Sequence, residues 1–574
     1  MSESPNEPLA MRTRDIQRQD PRPSPQVPLD RGRSTAPSED APAAGFLSRW
    51  LLGLLLVLPL SMIALVGTHP ASTDDLFIVL VHAQNLVEHG VSAYNLGEPP
   101  VEGFTSPADL LVKALAIAWS GDDALATVWR VNQFVLLAAL AAGVALLVRH
   151  TRGWVPIVFG APALALIPGL IEGAAMRLET PLYLGVIWLN LLAIGSPARG
   201  VLREVVIGLL ALALVCVRPE GLVLGIALIL WRAHSKRVKF TSLVVFVIGV
   251  LTLIAARFAV FLAWLPNTFR AKASDDRLHE IADGLDYVTR FALTWPGGAV
   301  LLMGVAIPLL LRHRSTRSDE VALVSGGLGL LALGMTIVEG GDSYLGARLL
   351  APMCACIVPA LWCARERVRG WKRVVVPVLS LAVWVPPMIT DGVLDHASAK
   401  WNAALATPIG ADEFRVERDV SDALEGVLDE LWVAQNDLQA LKYFAPSIRV
   451  LDTTGLNHPE VARLPAPDPV KFGKAGLAYA ARAGVDVIHL DFLRVRHERW
   501  SAFRVAELLE SPEVWNRFAG GDPPDPSTCP ELLRDYRTAS RSIWVDDVGM
   551  WFNVLVRAEH VDTFRTAGFV IEAP

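Results

Sequence analysis

The chain has 574 residues, 52% of them hydrophobic and only 19% charged, with a mean hydropathy of +0.40. That balance is too apolar for a soluble protein. The net charge of −6 hides a split, because residues 391–574 carry roughly ten more acidic than basic groups, and so acidic a segment argues against nucleic acid as a partner.

Residues 1–45 are rich in Pro, Ser, Arg and Asp and lack hydrophobic periodicity, which predicts a disordered cytoplasmic tail. The apolar run that starts near residue 46 is too long for a signal-peptide core and is expected to stay as a membrane span. A crossing helix needs about 20 apolar residues. By that measure residues 46–390 hold about eleven spans, at 47–67, 124–148, 154–171, 181–196, 203–217, 219–232, 240–264, 296–311, 320–338, 347–363 and 374–390. Basic loops stay cytoplasmic because Lys and Arg resist translocation. With the N-terminus inside, Arg149 to Arg152, Arg199 to Arg203, Arg232 to Lys239, Arg312 to Arg317 and Arg365 to Arg373 all fall inside. The acidic motifs then fall on the outer face, together with everything after about residue 390.

The first outer segment, 68–123, is long. Asp74-Asp75 opens a helical pattern of Leu76, Phe77, Val79, Leu80, Ala83, Leu86 and Val87, with Gln84, Asn85 and Glu88 opposite, which predicts a helix lying in the membrane interface. A second such helix is expected from Ser106-Pro107 to about Trp119. The outer loop 265–295 is polar, with a short helix expected from Asp276 to Tyr287. In the segment 391–574, residues 447–452 and 485–490 read as strands with a helix near 474–483 between them, giving an outer α/β domain with parallel strands. Four cysteines lie in or beside spans and Cys529 stands alone outside, so that domain has no internal disulfide.

Several residues invite a chemical reading. Adjacent carboxylates at Asp74 and Asp75 repel each other, so one is raised in pKa or the pair holds a cation. Either state suits a general base, while the plain alternative is an N-terminal helix cap. Glu102 sits in a glycine loop, and Glu179 either caps the next span or faces a ligand. Arg218-Pro219-Glu220 interrupts two apolar runs, as a local ion pair or as ligand groups. Gly340-Gly341-Asp342 precedes Arg348, and an arginine at the outer edge either grips a phosphate or only snorkels to headgroups. Lys272 has the same two readings. A transporter or flippase would place ionisable groups at mid-membrane and show inverted repeats, which these spans lack. A non-catalytic scaffold would make the first-loop carboxylates dispensable.

Taken in order, Asp74-Asp75, Asn85-Leu86, Tyr94-Asn95-Leu96-Gly97-Glu98, Val101-Glu102-Gly103-Phe104-Thr105, Leu178-Glu179-Thr180, Arg218-Pro219-Glu220-Gly221, Leu265-Pro266-Asn267-Thr268, Gly340-Gly341-Asp342 with Arg348, and Asp452-Thr453-Thr454-Gly455-Leu456-Asn457 form a pattern. It resembles that of the GT-C superfamily of polytopic glycosyltransferases, and within it the mycobacterial arabinofuranosyltransferases that add terminal arabinofuranose. The resemblance covers about residues 47–490. It implies a mostly α polytopic protein of the bacterial cytoplasmic membrane that takes a sugar, arabinofuranose foremost, from a polyprenyl-phosphate donor. An extracytoplasmic envelope glycan accepts it with inversion. Asp74 or Asp75 would be the base, often near a divalent cation such as Mg or Mn. Glu102, Glu179 and Glu220 would shape the sugar or metal site, Asn267 and Asp342 would bind substrate, and Arg218, Lys272 and Arg348 are candidates for the phosphate. The chain departs from the pattern at Val81-His82, where relatives often carry Arg and Tyr, at Arg177 in place of a small residue, and at His458 in place of an acid. These departures point to a phosphate or sugar held differently.

Overall fold

The computed structural model describes residues 42–67, 74–120, 123–167, 169–196, 200–234, 240–272, 276–294, 317–341, 347–365, 414–435, 439–464, 476–489, 534–545 and 548–572, with strand 495–496 and isolated positions in 298–304 and 373–380. The tail before residue 42, Asp342, Cys529 and most of the expected spans 296–311 and 374–390 lie outside the described residues.

The membrane part begins with α1 (Pro42–Gly67), which precedes two helices of the segment 68–123, α2 (Asp74–His89) and α3 (Pro107–Ser120). It continues through α4 (Ala124–His150), α5 (Ala161–Ala165), α6 (Leu170–Ala175), α7 (Thr180–Gly195), α8 (Val201–Val217), α9 (Gly221–His234) and α10 (Phe240–Phe261). Then come α11 (Asn267–Lys272) and α12 (Arg277–Leu293), with α13 (Arg317–Val338) and α14 (Ala351–Arg365) closing it. Five helices among the described residues are long and apolar enough to cross a membrane, within α1, α4, α10, α13 and at 348–365, and shorter apolar helices accompany them. The chain is a polytopic membrane protein. Its core joins α4, α7, α13 and α14, where Leu140, Trp188 and Trp362 have no exposed surface. Trp188 Nε1 donates to the Ala355 carbonyl at 2.9 Å, so the indole is both packed and satisfied.

The expected third span is not a continuous helix. Trp154 opens a π-helical turn at Pro156–Gly160, followed by the five-residue α5 and, after a break, α6. The helical run ends after Ala165, and Gly169, at φ +78°, leaves right-handed helical backbone before α6 begins. Apolar content had set the expectation, and backbone chemistry broke it.

The segment 68–123 also differs from expectation. Leu76, Phe77, Leu80, Val81, His82 and Ala83 of α2 are all buried. The helix joins a core made with the C-terminal part, where Phe77 meets Phe414 edge-on at 5.0 Å and also touches Tyr443 and Phe444. It is a wall between two bodies, not a helix lying in lipid. By contrast α3 keeps an exposed stripe of Leu111, Leu115 and Trp119 at i, i+4 and i+8, as an interfacial helix should.

The C-terminal part holds α15 (Arg415–Leu424), β1 (Trp432–Gln435), α16 (Gln439–Phe444), β2 (Arg449–Asp452), α17 (Pro459–Ala462), α18 (Gly476–Ala483), β3 (Val487–His489), β4 (Val495–Arg496), β5 (Tyr536–Val545), β6 (Val548–Arg557), α19 (Val561–Thr566) and β7 (Val570–Ile571). The sheet runs β2-β1-β3-β6-β5-β7, with β4 on β6. The expected strands β2 and β3 are parallel, but the unforeseen β1 lies between them. The antiparallel hairpin β5–β6 was also absent from the sequence reading.

Candidate active site

Arg218 follows α8 directly. Pro219 disfavours helical backbone in the residue before it, and Arg218 is extended, with φ −149° and ψ 143°. The helix therefore stops, and the guanidinium turns to two acids. Its Nη1 donates to Glu179 Oε1 at 2.6 Å and its Nη2 to Glu220 Oε1 at 2.7 Å. Glu179 occupies the N-cap position of α7, yet its side chain caps nothing, so its partner is Arg218. Glu339, at the end of α13, is in hydrogen-bonding contact with Glu220.

Arg348 opens a short 3-10 turn before α14. Gly169, with φ +78°, lies against it so closely that a Cβ there would fall 2.6 Å from Arg348 Cα. Arg348 Nη1 donates to Asp75 Oδ2 at 2.9 Å. Partial burial works to raise the Asp75 pKa, but Arg348, Lys272 and Arg218 override it and hold the carboxyl below its ordinary range. The Thr180, Tyr183, Arg218, Glu220, Thr336, Glu339 and Arg348 side chains line one cavity, with Leu224, Met335 and Pro352 as its apolar wall. Asp74 begins α2 in the backbone, and its side chain lies outside the described residues.

Other expected site residues lie elsewhere. Glu102 is 2% exposed and paired with Arg257 of α10, whose Nη2 donates to its Oε1 at 3.0 Å. Burial raises the Glu102 pKa against the pull of that arginine. The Asn267 amide is spent on the carbonyls of Gly455 and Leu456, at 2.7 and 2.9 Å, while its backbone N–H donates to the Glu102 carbonyl. Asn267 thus ties the loop 265–272 to the C-terminal part.

The departures from the family pattern find local explanations. His82 is fully buried, and its Nε2 lies 3.0 Å from Asn457 Oδ1. An amide oxygen only accepts, so Nε2 carries the hydrogen and Ser92 Oγ faces Nδ1 at 3.4 Å. Burial pushes the His82 pKa down to about 4, against these hydrogen bonds, and the ring is neutral. Asn457 also donates to the buried Asp452, which accepts from Thr454 as well. A Cβ at Gly103 would fall 1.7 Å from Asn457 Oδ1, so that loop residue must be glycine. Asn95 pairs with both backbone groups of Val450, and Glu98 accepts from Arg449. His458 caps α17. Arg177 lies over Trp129 and Phe414, 4.9 and 5.2 Å from their ring centroids, so it faces aromatic rings and does not line the cavity.

The motifs thus divide into a cavity set and a seam set: Arg218, Glu220 and Arg348 line the cavity, Glu179 and Asp75 pair with its two arginines and Lys272 acts on Asp75 through its field, while Asn95, Glu98, Gly103, Asn267 and Asn457 form the seam. The sequence reading missed Glu339, Tyr183, Arg257 and the buried Asp109–Lys113 pair on α3. Lone charges inside apolar helical patterns, at Arg257 and Lys113, were the available signal.

A divalent cation at Asp75 would face Arg348, Lys272 and Arg218, so the described charges suit an anion there better than a metal. The trio among the described residues with potential ligand atoms close together is Asp486, Glu559 and His560, in the C-terminal part. There His560 meets Asp486 at 2.9 Å, and Asp486 also accepts from the Trp432 backbone N–H.

No protein-family model matches the chain, and no curated protein matches it. Among solved structures, ArnT from Cupriavidus metallidurans bound to undecaprenyl phosphate superposes with a TM-score of 0.46 at 14% identity, covering 71% of this chain and 86% of that one. The archaeal oligosaccharyltransferase AglB from Archaeoglobus fulgidus, in complex with an inhibitory peptide and a dolichol-phosphate, gives 0.46 at 12% identity, covering 88% and 74%. An Archaeoglobus fulgidus oligosaccharyltransferase tethered to an acceptor peptide gives 0.45 at 11%, covering 87% and 74%. These superpositions are partial.

Proposed function

We propose that the chain is a membrane glycosyltransferase of the GT-C type that moves a sugar, arabinofuranose foremost, from a polyprenyl-phosphate donor to an envelope glycan outside the bacterial cytoplasmic membrane. The observation that carries this reading is the Asp75–Arg348 contact of 2.9 Å at the cavity, with Lys272 and Arg218 within electrostatic reach of the same carboxylate. Arg218 is engaged by two glutamates, whereas Arg348 meets the one carboxylate of Asp75 and Lys272 acts on the same group, so this pair of cations is the place for the donor phosphate. A phosphate that takes Arg348 releases Asp75 and weakens the field that depresses its pKa, which makes the carboxylate a stronger base. Asp75 then accepts the proton of the acceptor hydroxyl as its oxygen bonds to the anomeric carbon. The bond from that carbon to the phosphate oxygen breaks, and polyprenyl phosphate leaves with the electron pair. A single displacement inverts the anomeric centre.

The outward orientation has geometric support. The site collects at the ends of α8 and α13 and the starts of α7 and α14, whereas Arg203, Arg317 and Arg365 lie at the opposite ends of α8, α13 and α14. Ser318 Oγ donates to the His150 carbonyl at 3.0 Å, which joins the end of α4 to the start of α13 on that basic side. A cysteine at Arg277 should react with an impermeant reagent from outside, and the reverse pattern would sink the orientation.

The direct experiment incubates purified protein in nanodiscs with radiolabelled polyprenyl-phosphate sugars and an envelope glycan. Transfer from at least one donor is expected, lost in Arg348→Ala. Failure with every donor, in folded protein that also binds none, would overturn the reading.

A further inference from the structure

We infer that the cavity is a hydroxyl-reading subsite for the neutral glycosyl unit, and that Tyr183 is the residue through which it selects. The inference rests on the glycosyltransfer reading above and names what that site recognises.

Tyr183 stands on the second turn of α7 and is 2% exposed, yet its hydroxyl has no hydrogen-bond partner among the described residues. A buried phenol normally finds one, and an orphan on a cavity wall marks a place where a ligand supplies it. The neighbouring groups define that ligand. Thr336 Oγ1 already directs its hydrogen toward the carbonyls of Ala332 and Leu349, at 3.1 and 2.9 Å, so toward the cavity it only accepts. Glu220 and Glu339 share a hydrogen bond and otherwise accept. A wall rich in acceptors, with one phenol able both to donate and to accept, complements a polyol ring. The glutamates gather about Arg218, so a neutral hydroxylated group suits that end of the cavity, and the donor phosphate goes to the Arg348 end, where Lys272 acts on the same Asp75. Leu224 offers an apolar surface for the ring's C–H face.

The test uses full-length protein in nanodiscs with farnesyl-phosphoryl arabinofuranose and its monodeoxy analogues, comparing wild type with Tyr183→Phe. Sites that hydrogen-bond a substrate hydroxyl discriminate strongly against its absence. The variant should lose about tenfold or more in kcat/KM with the full donor. With one monodeoxy analogue, for which wild type has already lost the same factor, the two proteins should coincide. Without donor, the variant should melt at or above the wild-type temperature, since no existing bond is removed. Identical profiles across the series, in a wild type that transfers, would overturn the role of Tyr183 and leave glycosyltransfer standing. A variant that melts several degrees lower would show a structural role for the phenol and also overturn it. A wild type that neither binds nor transfers any donor of the series would overturn both.

Discussion

The cavity and the seam draw on the same vocabulary of short polar motifs, yet their contacts differ in kind. At the seam, Asn95, Asn267 and Asn457 present neutral amides, each matched to backbone or side-chain partners in the C-terminal part. Neutral, matched contacts hold their geometry whatever the salt or ligand. At the cavity the contacts are charged: Arg218 serves two glutamates, Glu339 leans on Glu220, and Asp75 pairs with Arg348. Charges in a partly desolvated space can exchange partners with a charged ligand. The contacts a motif makes, not its composition, separate structure from chemistry.

The largest expected effect tests the cavity. Asp75→Asn keeps the shape of the side chain and removes the base, so turnover should fall by about 10²–10⁴-fold with donor affinity changed only a few-fold. Single-turnover kinetics and donor titration separate the two quantities. Near-normal turnover would make Asp75 merely the partner of Arg348.

Next comes the central cation. Arg218→Leu leaves Glu179 and Glu220 buried without it and should destabilise the fold by about 3–5 kcal/mol. Adding Glu179→Gln should restore part of the loss. Melting in detergent at the wild-type temperature would show that the network contributes nothing to the fold.

The seam should respond in the opposite way. Asn457→Ala removes the bonds to Asp452 and His82 and should destabilise by about 1–3 kcal/mol. Hydrogen exchange should quicken in α2 and in the loop 452–457, while donor KM changes little. A collapse of donor affinity at unchanged stability would move Asn457 from the seam to the site.

The smallest effect is one of pH. His82 is neutral in the fold, with a pKa of about 4 against an ordinary 6.5. As pH falls the unfolded chain takes up this proton first, so the His82 contribution to stability declines between about pH 6.5 and pH 4 and levels off below. His82→Gln should flatten that part of the melting curve relative to wild type. Parallel curves for the two proteins would mean that the ring is not the titrating group.

Local, one-dimensional signals were legible in the sequence. Apolar runs marked α4, α7 to α10, α13 and α14, because a helix in hydrocarbon must be apolar along its length. Alternation marked β2 and β3, and the Arg-Pro-Glu run marked a helix end. Tertiary structure alone decided which of the similar acids meets which base. Glu102 finds Arg257 across 155 residues, Asp75 finds Arg348 across 273, and His82 finds Asn457 across 375. Burial of α2, expected to lie on lipid, was decided the same way, because its amphipathic face suits a membrane or another protein surface equally well. Tyr183 read as one more apolar residue of a span, and only the packing of α7 beside α13 placed it among the residues that line the cavity. Hydropathy and periodicity report on neighbours along the chain, whereas partners are chosen by how whole helices pack.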